Sequence, residues 1–291
     1  MARRATPIDG RTAVVAVLGD PVAHSRSPAM HNAAFRAAGL PYVYVAFRVD
    51  SRDVGPALAG VRALGIRGVN VTVPHKQAVI PHVDRLTERA RACGAVNSIA
   101  NRDGVLEGDN TDVLGLDRDL SAVGLAKRRL ASAVVLGAGG SARAAVVALG
   151  RRARRVAIAA RRPEQAAELA RALAPVVSAE LAAVDLAELA PGRAGARATL
   201  ADAGVVVNTT PVGMRGERFV PLAYDVTRDD CLFYDLIYTA RKTPFLAPAA
   251  RLRRPTANGI GMLLHQGAAS FEAWTGVRAP LDAMRRALRR A

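Results

Sequence analysis

The chain has 291 residues, 51% of them hydrophobic and 23% charged, which excludes a disordered protein and suits about two globular domains. Aromatic residues make up only 4%, so the cores must be packed from Ala, Val and Leu. Forty-one Lys and Arg against 25 Asp and Glu leave a net charge of +16, an attraction for anions that identifies no partner by itself, because much of the Arg sits in local pairs, such as Arg151-Arg152 and Arg285-Arg286, that are expected to be solvated faces. Cys93 and Cys231 lie far apart and the five His residues show no ligand spacing, so neither a disulfide framework nor a metal is expected. No apolar run approaches the ~18 residues of a membrane span. The basic start, Met1 to Asp9, reads as a tail before the first strand, since Asp9 and Arg11 precede the apolar run and Asp20 closes it. The expected compartment is the cytoplasm. Few aromatics and no helix-turn-helix, zinc or RNA-binding motif argue against a nucleic-acid partner.

Thr12 to Leu18 is a β-branched apolar run ended by Gly19-Asp20-Pro21, which predicts a buried strand. Ser27 before Pro28 predicts a helix cap, with helix to about Ala38 and Gly39 closing it. Ser25 and Ser27 have two readings: turn and cap chemistry, or two hydroxyls aimed at a carboxylate beside a helix N-terminus. Tyr42 to Phe47 predicts a second strand, and Asp50 or Ser51 caps a helix to about Leu64. Arg67 to Val73 predicts a third strand, stopped by Pro74 and followed by His75 and Lys76. Lysine occurs only at Lys76, Lys127 and Lys242 in this Arg-rich chain. A partly desolvated Lys can exchange a proton near neutrality where an Arg cannot, so Lys76 is either a proton carrier or a solvated helix-start residue. A helix from Thr87 to Ala92, a strand from Ala95 to Ala100 and a turn at Asn101 to Gly104 come next. Gly108-Asp109-Asn110-Thr111-Asp112 precedes a periodic stretch from Val113 to Val123, with Asn110 or Thr111 as its cap. Asp112 then lies in the first helical turn, where it complements the helix dipole or does chemistry. Strand alternating with helix predicts a parallel or mixed α/β sheet.

After a surface linker at Lys127 to Arg129, Ala131 to Leu136 predicts a strand, and Gly137-Ala138-Gly139-Gly140-Ser141-Ala142 opens a helix to Leu149. The next strand runs from Arg155 to Ala160. G-x-G-x-x-A between strand and helix, in a unit of about 30 residues, is the pattern of a dinucleotide loop. Gly137 permits the tight turn, Gly139 lets the backbone approach a pyrophosphate, and Ala142 is small enough for close packing. An acidic residue after the second strand would hold a ribose hydroxyl; Arg161 and Arg162 stand there instead and suit a 2′-phosphate, so the expected cofactor is NADP. Residues 164 to 204 read as Ala-rich helices. Val205 to Asn208 and Cys231 to Tyr238 read as strands, Pro244 to Arg251 as a short helix, and Met262 to Trp274 as a final apolar helix carrying Gln266.

These motifs, in this order, resemble the shikimate dehydrogenase family almost end to end. The matching residues are Ser25-x-Ser27-Pro-x-x-His31-Asn32, Asn70-Val-Thr72-Val-Pro-His-Lys76, Gly94-Ala-Val-Asn97 and Gly108-Asp-Asn-Thr-Asp112. They continue with Gly137-Ala-Gly-Gly140, Asn208-Thr-Thr-Pro-x-Gly213-Met214, Tyr234-Asp235 with Tyr238, Lys242-Thr-Pro-Phe245, and Asn258-Gly-Ile-Gly-Met262 with Gln266. The resemblance implies an α/β fold of two domains, a substrate domain with a mixed sheet from 1–112 and 259–291 and a doubly wound Rossmann-type domain from 113–258. It implies reversible NADPH-dependent reduction of 3-dehydroshikimate to shikimate, on the route to aromatic amino acids. Relatives acting on quinate or on amino-substituted analogues remain alternatives, and monomer and homodimer are both open.

Residue roles follow from the resemblance alone. Lys76 and Asp112 form the catalytic pair. Ser25 and Ser27 bind the substrate carboxylate, and Thr72, Asn97, Tyr238 and Gln266 hold ring hydroxyls. Gly137, Ala138, Gly139, Gly140 and Ser141 cradle the pyrophosphate, with Arg161 and Arg162 at the 2′-phosphate. Glu88, Leu236 and Gly259 match positions on the nicotinamide side. One departure stands out: the family commonly carries Asn-Arg-Thr where this chain has Ala160-Arg161-Arg162, which keeps the central Arg and drops the polar flanks. A non-catalytic dinucleotide sensor would need the Gly137 loop but not the Lys76 and Asp112 pair.

Overall fold

The computed structural model describes residues 8–125, 129–238 and 242–290. The basic start through Pro7 and Lys127 of the linker lie outside the described residues. Contacts divide the chain into two units, one of Met1–Gly115 with Leu263–Ala291 and one of Leu116–Met262.

The first unit contains β1 (Ala13–Gly19), α1 (Ser27–Ala38), β2 (Tyr42–Arg48), α2 (Val54–Ala63), β3 (Gly68–Val71), β4 (Arg85–Leu86), α3 (Glu88–Cys93), β5 (Ser98–Arg102) and β6 (Val105–Asp109). The helix α4 (Thr111–Leu120) begins in it. Its sheet is mixed, in the order β2-β1-β3-β5-β6-β4. β1 pairs parallel with both β2 and β3, while β5 pairs antiparallel with β3 and β6. Val69, Val71, Ile99 and Leu106 fill the core beneath it with Leu58 and Val61 of α2. Asn32 covers the β2 edge by imitating a strand: its side chain accepts from Tyr44 N and donates to Tyr44 O, both at 2.9 Å.

The second unit is wholly parallel. It contains β7 (Leu130–Leu136), α5 (Gly140–Gly150), β8 (Ala153–Ala160), α6 (Pro163–Leu173), β9 (Glu180–Asp185), α7 (Ala194–Leu200), β10 (Ala203–Asn208), β11 (Leu232–Asp235), α8 (Leu246–Arg251) and β12 (Thr256–Asn258). The sheet order is β12-β11-β10-β7-β8-β9, the doubly wound arrangement in which strand order reverses between β7 and β10. The near-continuous apolar runs of β7, β8 and β10 fit burial on both faces. The last two helices are α9 (Ile260–Thr275) and α10 (Leu281–Arg290). Gly68 has no room for a side chain, because an added Cβ would lie 2.3 Å from the indole of Trp274, which donates to Ile99 O at 3.0 Å.

Several elements depart from the sequence reading. Ser27 is the first helical residue and not the cap; Arg26 occupies the cap position, and its side chain makes no capping bond. Ser25 Oγ instead accepts from Ser27 N at 3.3 Å. The third strand shortens to Gly68–Val71 and the Ala95 strand begins at Ser98. The turn at Asp103-Gly104, with both φ values positive, closes a hairpin whose second arm, β6, the sequence reading left unread. β9 falls in a stretch read as helix: Ala-rich propensity yields to pairing along β8. β12 and α10 were likewise unread; α10 buries Met284 and Leu288 and exposes four arginines.

Candidate functional site

Lys76 and Asp112 meet although 36 residues separate them. Lys76 Nζ donates to Asp112 Oδ2 at 2.6 Å, with the side chains only 12% and 7% exposed. Backbone bonds set this distance. Val96 N donates to Lys76 O at 2.7 Å, and Asn97 N donates to Asp109 O at 3.0 Å. The segment after α3 therefore stitches the Lys76 turn to the start of α4, where Asp112 stands in the first turn. The carboxylate of Asp109 braces that start, accepting from Arg89, Thr87 Oγ1 and Asn110 N. Removing one member of so buried an ion pair costs about 3–5 kcal/mol, since the other is left uncompensated.

Asn97 and Gln266 join the same interior. Asn97 Oδ1 accepts from Thr111 N at 2.7 Å, which fixes its amide so that Nδ2 donates toward Gln266 Oε1 at 3.4 Å. Thr111 Oγ1 lies 3.3 Å from Ser270 Oγ, and Ser270 accepts from Asn70 Nδ2 at 3.0 Å. Tyr44 closes the chain by donating to Asn70 Oδ1 at 2.8 Å. A polar network of buried Asn, Thr, Ser and Tyr thus sets the amide faces that Asn97 and Gln266 present. Thr111 entered the sequence reading only as a cap and a motif letter, Asn70 only as a motif letter, and Ser270 and the Tyr44 hydroxyl not at all. Two signals carried them: a polar residue inside the buried run Val69-Asn70-Val71, and Ser270 one helical turn beyond Gln266.

Ser25, Ser27 and Thr72 stand past the carboxyl ends of β1 and β3, which are adjacent and parallel. The Thr72 methyl covers Gly19, where an added Cβ would lie 2.3 Å away. His31 and His75, both in the matched motifs, are structural. His75 donates to Val49 O at 2.7 Å. His31 is fully buried and stacked on Tyr44 at 4.5 Å, its ring nitrogens have no hydrogen-bond partner among the described residues, and burial pulls its pKa down to about 3. Glu88 is exposed at the start of α3 in this unit.

The second unit offers a site of another kind. Gly137 has φ +113°, and an added Cβ would meet Thr209 Oγ1 at 2.7 Å, so the turn after β7 requires glycine twice over. A Cβ on Gly139 would meet nothing within 4 Å: this face of the loop is open. Gly139 caps α5 with no side-chain bond, and Ala142 is buried against the sheet. A helix start left open in this way suits a phosphate. A cavity of about 340 Å³ adjoins it, lined by Gly137, Ala138, Arg161, Arg162, Thr210 and Phe219 among others. Among the described residues no acidic side chain lines it, and both guanidiniums are exposed. This donor set fits a dinucleotide carrying an extra phosphate. Leu236 and Gly259 touch: an added Cβ on Gly259 would lie 2.2 Å from Leu236 O. Tyr238 follows two residues later in the same segment.

A protein from Moorella thermoacetica named shikimate dehydrogenase (NADP(+)) is 47% identical over 289 residues, covering 98% of this chain and 95% of that one. This chain belongs to the shikimate dehydrogenase family. The family model for the shikimate dehydrogenase substrate binding domain matches residues 17–99, and that for the shikimate 5'-dehydrogenase C-terminal domain matches 259–289. A crystal structure of shikimate 5-dehydrogenase from Thermus thermophilus, in complex with NADP(H) and shikimate, aligns with TM-score 0.82 and 34% identity over 96% of this chain and 99% of that one. Quinate dehydrogenase from Corynebacterium glutamicum, in complex with NAD, aligns with TM-score 0.85 and 31% identity over 96% and 99%. Among the described residues no helix is long and apolar enough to cross a membrane.

Proposed function

We propose that this chain is an NADP-dependent oxidoreductase that interconverts 3-dehydroshikimate and shikimate. The observation that carries the reading is the buried contact between Lys76 Nζ and Asp112 Oδ2, next to the fixed amides of Asn97 and Gln266. When bound, the nicotinamide supplies or accepts the hydride. The protein must then hold the ring and manage one proton. Lys76 delivers a proton to the carbonyl oxygen during reduction and takes it back during oxidation. Asp112 orients the ammonium and accepts from a ring hydroxyl. Asn97, Gln266, Thr72 and Tyr238 hold the remaining hydroxyls, and Ser25 and Ser27 donate to the carboxylate. The Gly137 to Ser141 loop takes the pyrophosphate, Arg161 and Arg162 take the 2′-phosphate, and Glu88, Leu236 and Gly259 serve the nicotinamide side. In this reading residues 1–112 with 259–291 bind substrate and 113–258 bind the dinucleotide.

The cytoplasm remains the expected compartment, and a homodimer is a separate proposal that sedimentation of the purified chain tests. The function itself is tested by following NADPH absorbance with shikimate, quinate and an amino-substituted analogue in parallel, each with NADP and NAD. Turnover fastest with shikimate and NADP is the expected result. A clear preference for quinate, or no turnover with any of the three, overturns the reading.

A further inference from the structure

Three motifs in the second unit have no role in the chemistry above: Asn208-Thr-Thr-Pro, Tyr234-Asp235 and Lys242-Thr-Pro-Phe. They converge on one carboxylate. Asp235 ends β11 with 0% exposure, and among the described residues no cation pairs with it. Its two oxygens are instead shared by neutral donors. Oδ1 accepts from Asn208 Nδ2 at 2.9 Å and from Ile237 N at 3.1 Å, and Oδ2 accepts from Thr243 Oγ1. Burial raises its pKa, more than these donors lower it. A buried carboxylate without a counter-charge is costly to keep, and an apolar residue would pack there at less expense.

What its donors do suggests why it is kept. Asn208 turns its other end toward the loop beyond β10: Oδ1 accepts from Thr210 N at 3.0 Å and from Thr210 Oγ1 at 2.7 Å. Thr210 is a wall of the 340 Å³ cavity. Ile237 lies between Leu236 and Tyr238, in a segment also held by Leu236 N donating to Asn208 O at 3.0 Å and by the close packing of Gly259. Asn208 and Asp235 are direct neighbours across β10 and β11, so the two loops share one rigid anchor.

We propose that Asp235 is a positioning residue whose carboxylate couples the Thr210 wall of the dinucleotide cavity to the Leu236–Tyr238 segment. The Thr210 loop is bonded to the Asn208 amide, the Leu236–Tyr238 segment to the Asp235 carboxylate, and the two side chains to each other, so dinucleotide binding sets the segment on which Leu236 and Tyr238 stand. Thr243, which does not line the cavity, acts on the dinucleotide through this anchor. The inference rests on the reading of that cavity as the NADP site.

The test is a double-mutant cycle on NADPH affinity, measured by fluorescence titration of the full chain. Thr210→Val and Thr243→Val should each weaken NADPH by about 3- to 10-fold, as the loss of one buried hydrogen bond does. The combined variant should lose no more than the worse single one. Asp235→Ala should weaken NADPH at least as much and raise the shikimate KM in parallel. Asp235→Asn should stay within about 3-fold of the parent on both, because its Oδ1 serves the two N–H donors and Thr243 Oγ1 turns to accept from its amide. Additive losses in the cycle, or a Thr243→Val variant that binds NADPH like the parent, overturn the coupling. So does an Asp235→Asn variant as damaged as Asp235→Ala. Should Asp235→Ala not fold, the threonine cycle decides alone. A parent chain that binds no NADPH refutes the cavity assignment instead.

Discussion

The two units build their sites from different materials. In the first, the proposed working groups are side chains: Lys76, Asp112, Asn97 and Gln266 are each held by bonds to other buried side chains or to backbone. In the second, the proposed phosphate site is mostly backbone: a glycine turn, an open helix start, and two exposed guanidiniums at the rim. A side-chain site is pre-organised and fails abruptly when one member goes. A backbone site keeps its shape and loses affinity by degrees as rim charges are removed. The contrast suits the tasks, since proton transfer needs fixed geometry while holding a phosphate needs mainly field and N–H groups.

The contrast breaks most sharply at the ion pair. Asp112→Ala should cost on the order of 10²–10⁴ in turnover, the usual range for acid–base assistance. Lys76→Ala combined with Asp112→Ala should cost little more than the worse single change, because the pair acts as a unit. Steady-state kinetics on the three variants check this; multiplicative losses would mean two independent groups.

Acid should separate the units next. His31 stays neutral in the folded first unit, with its pKa lowered by burial to about 3, but takes a proton near pH 6.5 once unfolded. Its contribution to stability is therefore complete above about pH 6.5 and is lost progressively down to about pH 3. Asp235 in the second unit has the opposite sign: its raised pKa makes acid favour the folded form until the unfolded carboxylate also protonates. Trp274, the single tryptophan, is buried in the first unit and reports on it. Urea unfolding followed by its fluorescence should show a loss of about 2–3 kcal/mol between pH 7 and pH 4.5. His31→Phe should remove most of that loss, and an unchanged pH dependence in the variant would refute the assignment.

At the rim, Arg161→Ala and Arg162→Ala should each reduce the preference for NADP over NAD by about 10- to 100-fold in kcat/KM, the worth of a charged hydrogen bond. Turnover at saturation should hardly change. Loss of turnover without loss of preference would place these groups elsewhere. The smallest effect belongs to Ser27→Ala, a nearly buried hydroxyl. It should raise the shikimate KM by about 2- to 12-fold, the worth of one hydrogen bond, while turnover stays close to normal. The contact to a carboxylate exists in ground and transition states alike, so a fall in turnover at unchanged KM would contradict its role.

The backbone site was more legible in the sequence than the side-chain site. Gly137, Gly139 and Ala142 declare a turn, an open approach and a close packing by their residue types, and the strand and helix around them follow from periodicity. Nothing local links Lys76 to Asp112, or Asn70 to Ser270, which lie 200 residues apart. Those pairs came from resemblance or were missed, because long-range register is decided by sheet order and not by neighbours. Edge elements such as β9 and β12 escaped for a related reason: they become strands by pairing with β8 and β11, not by their own composition.

The central claim is that Lys76 moves the proton while the second unit only binds. Its most direct test is turnover of Lys76→Ala at saturating NADPH and 3-dehydroshikimate, alongside titrations of both ligands. The expected result is a loss of about 10²–10⁴ in turnover with NADPH affinity unchanged. Turnover within a few-fold of the parent would contradict it.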